Sequence, residues 1–134
     1  MASASAFSLL NGHQFMNLTT YRKSGEESTR PVWFVDSGEA LFVFTTADSW
    51  KIKHIQKRPE VWVSPSDSRG TPLSTERAQG IGKVHEKGSE RARYGNQLLD
   101  KKYGWMKWMF NLTYWTSRRP YVILEIQPSQ PHAV

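Results

Sequence analysis

The chain alternates short apolar runs, rich in β-branched and aromatic residues, with polar breaks that contain glycine. Phe15 to Lys23 sets Met16, Leu18 and Thr20 against Asn17, Thr19 and Tyr21, a period of two that predicts a half-buried strand. Ser24-Gly25-Glu26-Glu27 turns the chain into a second run, Ser28 to Val35, which ends on the apolar stretch Val32-Trp33-Phe34-Val35. Asp36, Ser37, Gly38 and Glu39 separate it from Leu41 to Thr46, and two such runs across a short turn read as a β-hairpin. The period then changes. Ile52 and Ile55 give the next stretch one apolar stripe, Asp48 or Ser49 stands where an N-cap accepts a backbone N–H, and Pro59 stops the helix.

Strands follow at Glu60 to Asp67, with Val61 and Val63 on one face and Trp62 on the other, and at Glu76 to Glu86. The stretch 66–72 between them is a loop by composition. Gly80 and Gly82 fall inside the second strand, where they predict a bulge, sharp curvature or the close approach of another group. Ser89 to Lys102 reads as a helix with Ala92, Leu99 and Tyr103 near one face, and Arg119 to Gln127 as the last strand, ended by Pro128. Phe7, Leu9 and Leu10 suit a short helix ended by Gly12, with residues 1–5 loose ahead of it. The resulting order is about six strands with short helices inserted. It excludes a doubly wound parallel sheet and fits a mainly β protein, a six-stranded antiparallel Greek-key barrel. The 134 residues suit one domain with one core.

Composition narrows the chemistry. The absence of cysteine removes disulfides, thiolate metal sites and a cysteine nucleophile, and the four scattered histidines show no metal-ligand spacing. A net charge of +6 favours anionic partners. The cations are dispersed and no nucleic-acid-binding motif accompanies them, so a cofactor with several negative charges is a sufficient partner. No apolar run is long enough to span a membrane and no secretory signal opens the chain; a cytoplasmic protein is expected. No Ser-His-Asp or paired-carboxylate pattern suggests independent acid–base catalysis. Residues 105–116 carry Trp105, Met106, Trp108, Met109, Phe110, Leu112, Tyr114 and Trp115, more apolar surface than one helical stripe. Such a segment needs burial on two sides, against the barrel and against a cofactor edge or second subunit, or else is an oversized core helix.

The most informative local pattern is the start of the first long helix. Lys51 and Lys53 oppose the positive end of the helix dipole, at a cost of about 0.3–1 kcal/mol each. With the free N–H groups of the first turn and the hydroxyls of Thr45, Thr46 and Ser49, they suit a phosphate. The same lysines also suit a solvated helix face. Pro31, unable to donate to a ladder, marks a sheet edge, a bulge or a place where a cofactor ring faces the backbone.

Thr45-Thr46-Ala47-Asp48-Ser49-Trp50-Lys51 resembles the strand-to-helix phosphate motif of the pyridoxamine 5′-phosphate oxidase-like, FMN-binding split-barrel superfamily. Arg30-Pro31-Val32-Trp33-Phe34 resembles that superfamily's strand beside the isoalloxazine ring. Thr20 to Gly25, Ser49 to Lys53, Asp67-Ser68-Arg69-Gly70 and Lys102-Tyr103-Gly104 resemble the subgroup of deazaflavin (coenzyme F-420)-dependent oxidoreductases, and the likeness runs from Asn17 to Gln127. It implies a split β-barrel that binds F-420 or FMN through Arg30, Pro31, Val32, Trp33, Phe44, Thr45, Thr46, Ser49, Trp50, Lys51 and Arg77, and that transfers hydride to or from a small organic substrate. It also implies a homodimer with the cofactor at the subunit junction, or a non-catalytic FMN or haem carrier or sensor of the same fold. Two departures matter. Trp50 stands where oxidases proper commonly have arginine, and their C-terminal substrate-binding Trp and Arg motif is absent, so vitamin B6 oxidation is not implied.

Overall fold

The computed structural model describes residues 7–46, 49–86, 88–99, 101–102 and 121–129. Asp48, Tyr103 and the aromatic segment 105–116 lie outside them. The strands are β1 (Phe15–Tyr21), β2 (Glu27–Trp33), β3 (Val35–Asp36), β4 (Leu41–Thr46), β5 (Glu60–Ser66), β6 (Ala78–Glu86) and β7 (Tyr121–Pro128). Helix α1 spans Trp50–Lys57, and α2 spans 90–99 with 101–102 helical beyond it. A 3-10 turn at Ser8–Leu10 precedes β1, and Gly12 follows it at φ +81°, the left-handed conformation that glycine takes without strain.

All strand pairs are antiparallel, in the order β2-β1-β5-β6-β7-β4-β3. The two ends of that order are joined in the chain through Phe34 alone. Residues 27–36 therefore act as one strand with divided pairing: Glu27–Trp33 pairs with β1, and Val35–Asp36 pairs with Phe42 and Leu41 of β4. Counted this way the described residues form six strands, as expected, and the break into seven falls where Phe34 turns into the core at 1% exposure. The expected hairpin is present but short, because most of its first strand belongs to β1. Helix α1 carries the chain from β4 across the barrel to β5, which pairs with β1 on the far side.

Met16, Leu18, Leu41, Val43, Val61, Val63, Leu124 and Ile126 fill the barrel, with Phe34 and Ile55 among them. Each such side chain contributes roughly 1.5–3 kcal/mol on burial. The expected alternation of β1 is blurred, since Asn17 and Thr19 are also buried. The 67–72 loop meets Asn17, whose Nδ2 donates to the Gly70 carbonyl at 2.9 Å, and Thr19 Oγ1 pairs with Thr29 Oγ1 of β2 at 2.8 Å. Gly80 and Gly82 make room rather than a bulge, for β6 pairs with β7 without interruption. A Cβ on Gly80 would stand 2.5 Å from Ile126 Cγ2, and one on Gly82 would stand 2.9 Å from Ile55 Cγ2 of α1.

Helix α2 covers the outside of β4 and β7, where Ala92 and Leu99 pack with Phe42, Ile123 and Val35. Two features set its approach. Gly95 lets the helix down onto the sheet, since a Cβ there would meet Phe42 Cδ1 at 2.7 Å and Ile123 Cγ2 at 2.9 Å. Glu125 of β7, 2% exposed, accepts from Arg91 Nη2 of α2 at 2.7 Å and from Gln127 Nε2 at 3.2 Å, and bonds His85 Nε2 at 2.7 Å. Burial alone pushes this carboxyl up, but the hydrogen bonds from Arg91, Gln127 and His85 and the charge of Arg91 prevail and hold it at about 2.

Gly95→Ala should gain about 1 kcal/mol of helix propensity and lose roughly 1–3 kcal/mol to overpacking, a net destabilisation read from the urea midpoint. An unchanged or higher midpoint would mean that the Phe42 ring gives way. Glu125 makes a second prediction. Its folded pKa lies below the ordinary 4.5, so its contribution is complete above that value and is lost as pH falls toward 2. Wild-type stability should fall by about 3 kcal/mol across that window. Glu125→Gln should be less stable at pH 7 and fall less steeply over the same window, where Asp67, also held below its ordinary value by backbone hydrogen bonds, still titrates; parallel curves would remove Glu125 from the account.

Candidate functional site

Beyond the short β3–β4 pairing, β2 stays with β1 while β4 runs on with β7. The first turn of α1 stands where these strands part. Five of the residues singled out in the sequence meet there: Arg30 of β2, Thr45 of β4, Ser49 at the N-cap position, and Trp50 and Lys51 of α1. Lys51 Nζ donates to Thr45 Oγ1 at 3.2 Å, and Thr45 Oγ1 donates to Ser49 Oγ at 3.4 Å. Ser49 thus adopts the extended N-cap backbone, but its hydroxyl makes no cap bond to the helix. The expected side-chain cap is replaced by the bond from Thr45, which leaves the first-turn N–H groups without that acceptor.

Two cations stand near the Trp50 ring. Arg30 Cζ is 5.4 Å from its centroid, Lys51 Nζ is 5.4 Å from it, and the His54 ring is 5.3 Å away. Both cations are within the range of attraction to an aromatic face. Thr20 Oγ1, on the fully buried Thr20 of β1, pairs with His54 Nδ1 at 2.9 Å. Burial and then the charge of Arg22 push the His54 imidazole below its usual 6.5.

Arg22, Arg58, Arg77 and Arg91 each face a carboxylate, on Glu26, Glu60, Glu27 and Glu125 respectively. Arg30 and Lys51 face none among the described residues: Arg30 Nη1 donates to the Thr29 carbonyl and Lys51 to a hydroxyl. Burial pushes the Lys51 ammonium below its ordinary 10.5 with no carboxylate to oppose it. Two cations and two hydroxyls at one opening can do one thing well, which is to receive an anion.

The remaining singled-out residues lie around this centre or apart from it. Val32 packs on the barrel core, and Trp33 and Phe44 on the α2 side, with the Trp33 ring 6.0 Å from Phe15. Pro31 sits on a strand paired on one side only, opposite Asn17, and its Cδ would be 3.3 Å from a Cβ on Gly70. Thr46 ends β4, and its side chain falls outside the described residues. Arg77 is elsewhere: its guanidinium stacks 4.2 Å from the Trp62 ring and bonds Glu27 at 3.3 Å. Thr20 and His54 were not among the candidate site residues. The spacing of Trp50 and His54, four apart on one helix, was the available signal for the second; Thr20 opened the stretch Thr20 to Gly25 quoted for the resemblance, but no site role was read from it.

The family model for pyridoxamine 5′-phosphate oxidase matches residues 3–134. The chain belongs to that family. Its fold is the split barrel of the superfamily. Among solved structures, the haem storage protein HutZ from Vibrio cholerae superposes with a TM-score of 0.70 at 13% identity, over 95% of this chain and 89% of that one. An F420 reductase gives 0.62 at 21% identity, over 92% of each chain. A pyridoxamine 5′-phosphate oxidase homologue from Listeria innocua gives 0.63 at 16% identity, over 97% and 95%. At these identities the likeness establishes fold alone. No curated protein sequence matches the chain. Among the described residues, no helix is long and apolar enough to cross a membrane, and no group of His, Asp or Glu is arranged to hold a metal ion.

Lys51 should add nothing to the stability of the ligand-free protein, because its desolvated charge has only a hydroxyl for a partner. Lys51→Met is expected to stay within about 1 kcal/mol of wild type, or to gain, in urea unfolding. A loss beyond about 2 kcal/mol would make Lys51 a structural residue.

Proposed function

We propose that this chain is an oxidoreductase that holds a flavin-type nucleotide, coenzyme F-420 or FMN, with the phosphate end at the gap between β2 and β4. The observation that carries the reading is the pair Arg30 and Lys51: two cations without a carboxylate among the described residues, near one tryptophan, beside the hydroxyls of Thr45 and Ser49. That donor set fits a phosphate. The phosphate would take over the acceptor role that Thr45 now fills for Lys51, and its charge would reverse the desolvation of the ammonium. When bound, such a cofactor supplies hydride transfer.

The chain's own part is then to bind, orient and exclude water. Arg30 and Lys51 would fix the anionic end and Ser49 would donate to it. Val32 and Trp33, next along β2, would set the strand beside which the ring system lies. The barrel interior is already filled by fully buried side chains, among them Leu18, Leu41, Val61 and Leu124, so a ring of flavin size belongs on its outside. A wall for its second face is best supplied by a second copy of this chain, which makes a homodimer part of the proposal. Trp50, in the place of an arginine common in the oxidases, favours F-420 over FMN.

A second reading is a non-catalytic carrier or sensor of FMN or haem. It draws support from the fold shared with the haem storage protein, and from a site whose histidine is engaged with Thr20 rather than turned to a reactant.

Visible absorption of protein mixed with FMN, F-420 or haem separates these readings: two flavin bands, one deazaflavin band or a sharp Soret band. Turnover of a hydride acceptor supports the enzyme, and tight binding without turnover supports the carrier. Lys51→Ala should weaken nucleotide binding by roughly 1.5–3 kcal/mol, the range for a charged hydrogen bond. Sedimentation equilibrium at micromolar concentration should return a dimer whose interface exceeds roughly 2,000 Å². A monomer that still binds the cofactor tightly would sink the dimer.

A further inference from the structure

Trp50 is surrounded by groups it cannot hold by charge of its own. Its ring lies 5.4 Å from both Arg30 Cζ and Lys51 Nζ, and 5.3 Å from the His54 ring behind it. His54, one turn further along α1, is tied through Nδ1 to Thr20 Oγ1 at 2.9 Å. Thr20 is 0% exposed on β1, a strand paired on both sides and so among the most rigid parts of the barrel. A continuous column of contacts therefore runs from the core to the two cations: Thr20, His54, Trp50, then Arg30 and Lys51.

We infer that His54 and Thr20 are positioning residues for anion recognition, holding the Trp50 ring so that Arg30 and Lys51 stay together at the gap. The inference deepens the proposed function and rests on it. Three considerations carry it. Arg30 and Lys51 come from different elements, β2 and α1, and carry like charges that repel; without a shared partner they would separate into solvent. The Trp50 ring is the group both approach, so it serves as their common uncharged counterpart. A surface indole is free to rotate unless something packs on it, and its described aromatic contact on α1 is His54. A hydroxyl buried in the barrel wall then has a use beyond its own satisfaction: it fixes the ring plane of His54 and, through it, that of Trp50.

The role differs from that of a ligand-binding residue. Neither His54 nor Thr20 needs to touch the anion, and removing either should act through Trp50. The test uses the full chain, FMN and F-420 as separate titrants, and the variants Lys51→Ala, Trp50→Leu, His54→Leu, Thr20→Val and Thr20→Ser. For whichever nucleotide binds wild type more tightly, Trp50→Leu and His54→Leu should each weaken binding about five- to tenfold, as loss of a cation–aromatic arrangement does. The double variant Trp50→Leu/His54→Leu should bind no more weakly than Trp50→Leu alone, because the two act in series. Thr20→Val should share the loss, and Thr20→Ser, which restores the hydroxyl, should recover it.

A second measurement needs no ligand. In protein labelled with 5-fluorotryptophan, the Trp50 resonance is the one missing from Trp50→Phe. It should shift or broaden in His54→Leu and Thr20→Val, and return in Thr20→Ser. If Lys51→Ala binds both nucleotides as wild type does, the anion site itself fails and this inference falls with it. If Lys51→Ala and Trp50→Leu bind weakly while His54→Leu and Thr20→Val bind normally, with the fluorine signal unmoved, the site stands and the positioning column alone is overturned.

Discussion

The divided pairing of residues 27–36 is the constraint on which the rest depends. One strand cannot follow two neighbours that diverge. It pairs with β1 through Trp33, breaks at Phe34, and pairs with β4 for two residues only. That exchange closes the barrel, and it also opens the barrel, since above the exchange β2 and β4 have no ladder between them. The backbone left unpaired at such an edge invites water or another chain. Here the start of α1 stands at the opening. Arg30 is carried there by β2, Thr45 by β4, and Trp50 and Lys51 by the helix. The site is thus a consequence of how the sheet closes, and not an ornament added to a finished barrel.

Two treatments of charge coexist in the molecule. On the α2 side, Glu125 is deeply buried and fully answered by Arg91, His85 and Gln127, so its charge serves architecture. At the gap, Lys51 is half-buried and answered by a hydroxyl. A buried charge with a complete set of partners is weak evidence of function, because ion-pair networks also hold folds together. A desolvated cation without a counter-charge is a different case. Its cost is not recovered within the described chain, and a ligand is the simplest source of recovery.

Much of this was legible in the residues. The period-two runs gave the strands, Ile52 and Ile55 with Pro59 gave α1, and the hydroxyl-rich approach to Lys51 marked the gap. What local pattern could not supply was partnership. Asn17 meets a loop some fifty residues away, through the Gly70 carbonyl, and Thr19 pairs with Thr29 of β2, so their polar character read as solvent-facing. Gly80 and Gly82 left three explanations open, and only the positions of Ile126 and Ile55 choose close packing among them. Arg77 was drawn to the site by resemblance, yet its own neighbours Trp62 and Glu27 hold it on another face. Nothing local marked Glu125, whose setting comes from Arg91 of α2.

The start of α1 is where local preference and observed structure conflict most sharply. A helix N-terminus is ordinarily stabilised by a capping side chain and by acidic residues in its first turn. Among the described residues this one has neither: Ser49 makes no cap bond, the first turn carries no acid, and Lys51 adds a like charge to the positive end. Each omission costs about 0.5–1 kcal/mol, and the helix is only 8 residues long. Ile52 and Ile55, both buried, supply the compensation by packing on the barrel. A sequence selected only to fold would place Asp or Glu where Lys51 stands. The conflict is resolved if the positive end of the helix is kept for an anion that is absent from the chain itself, since every missing stabiliser is one that a bound phosphate would provide.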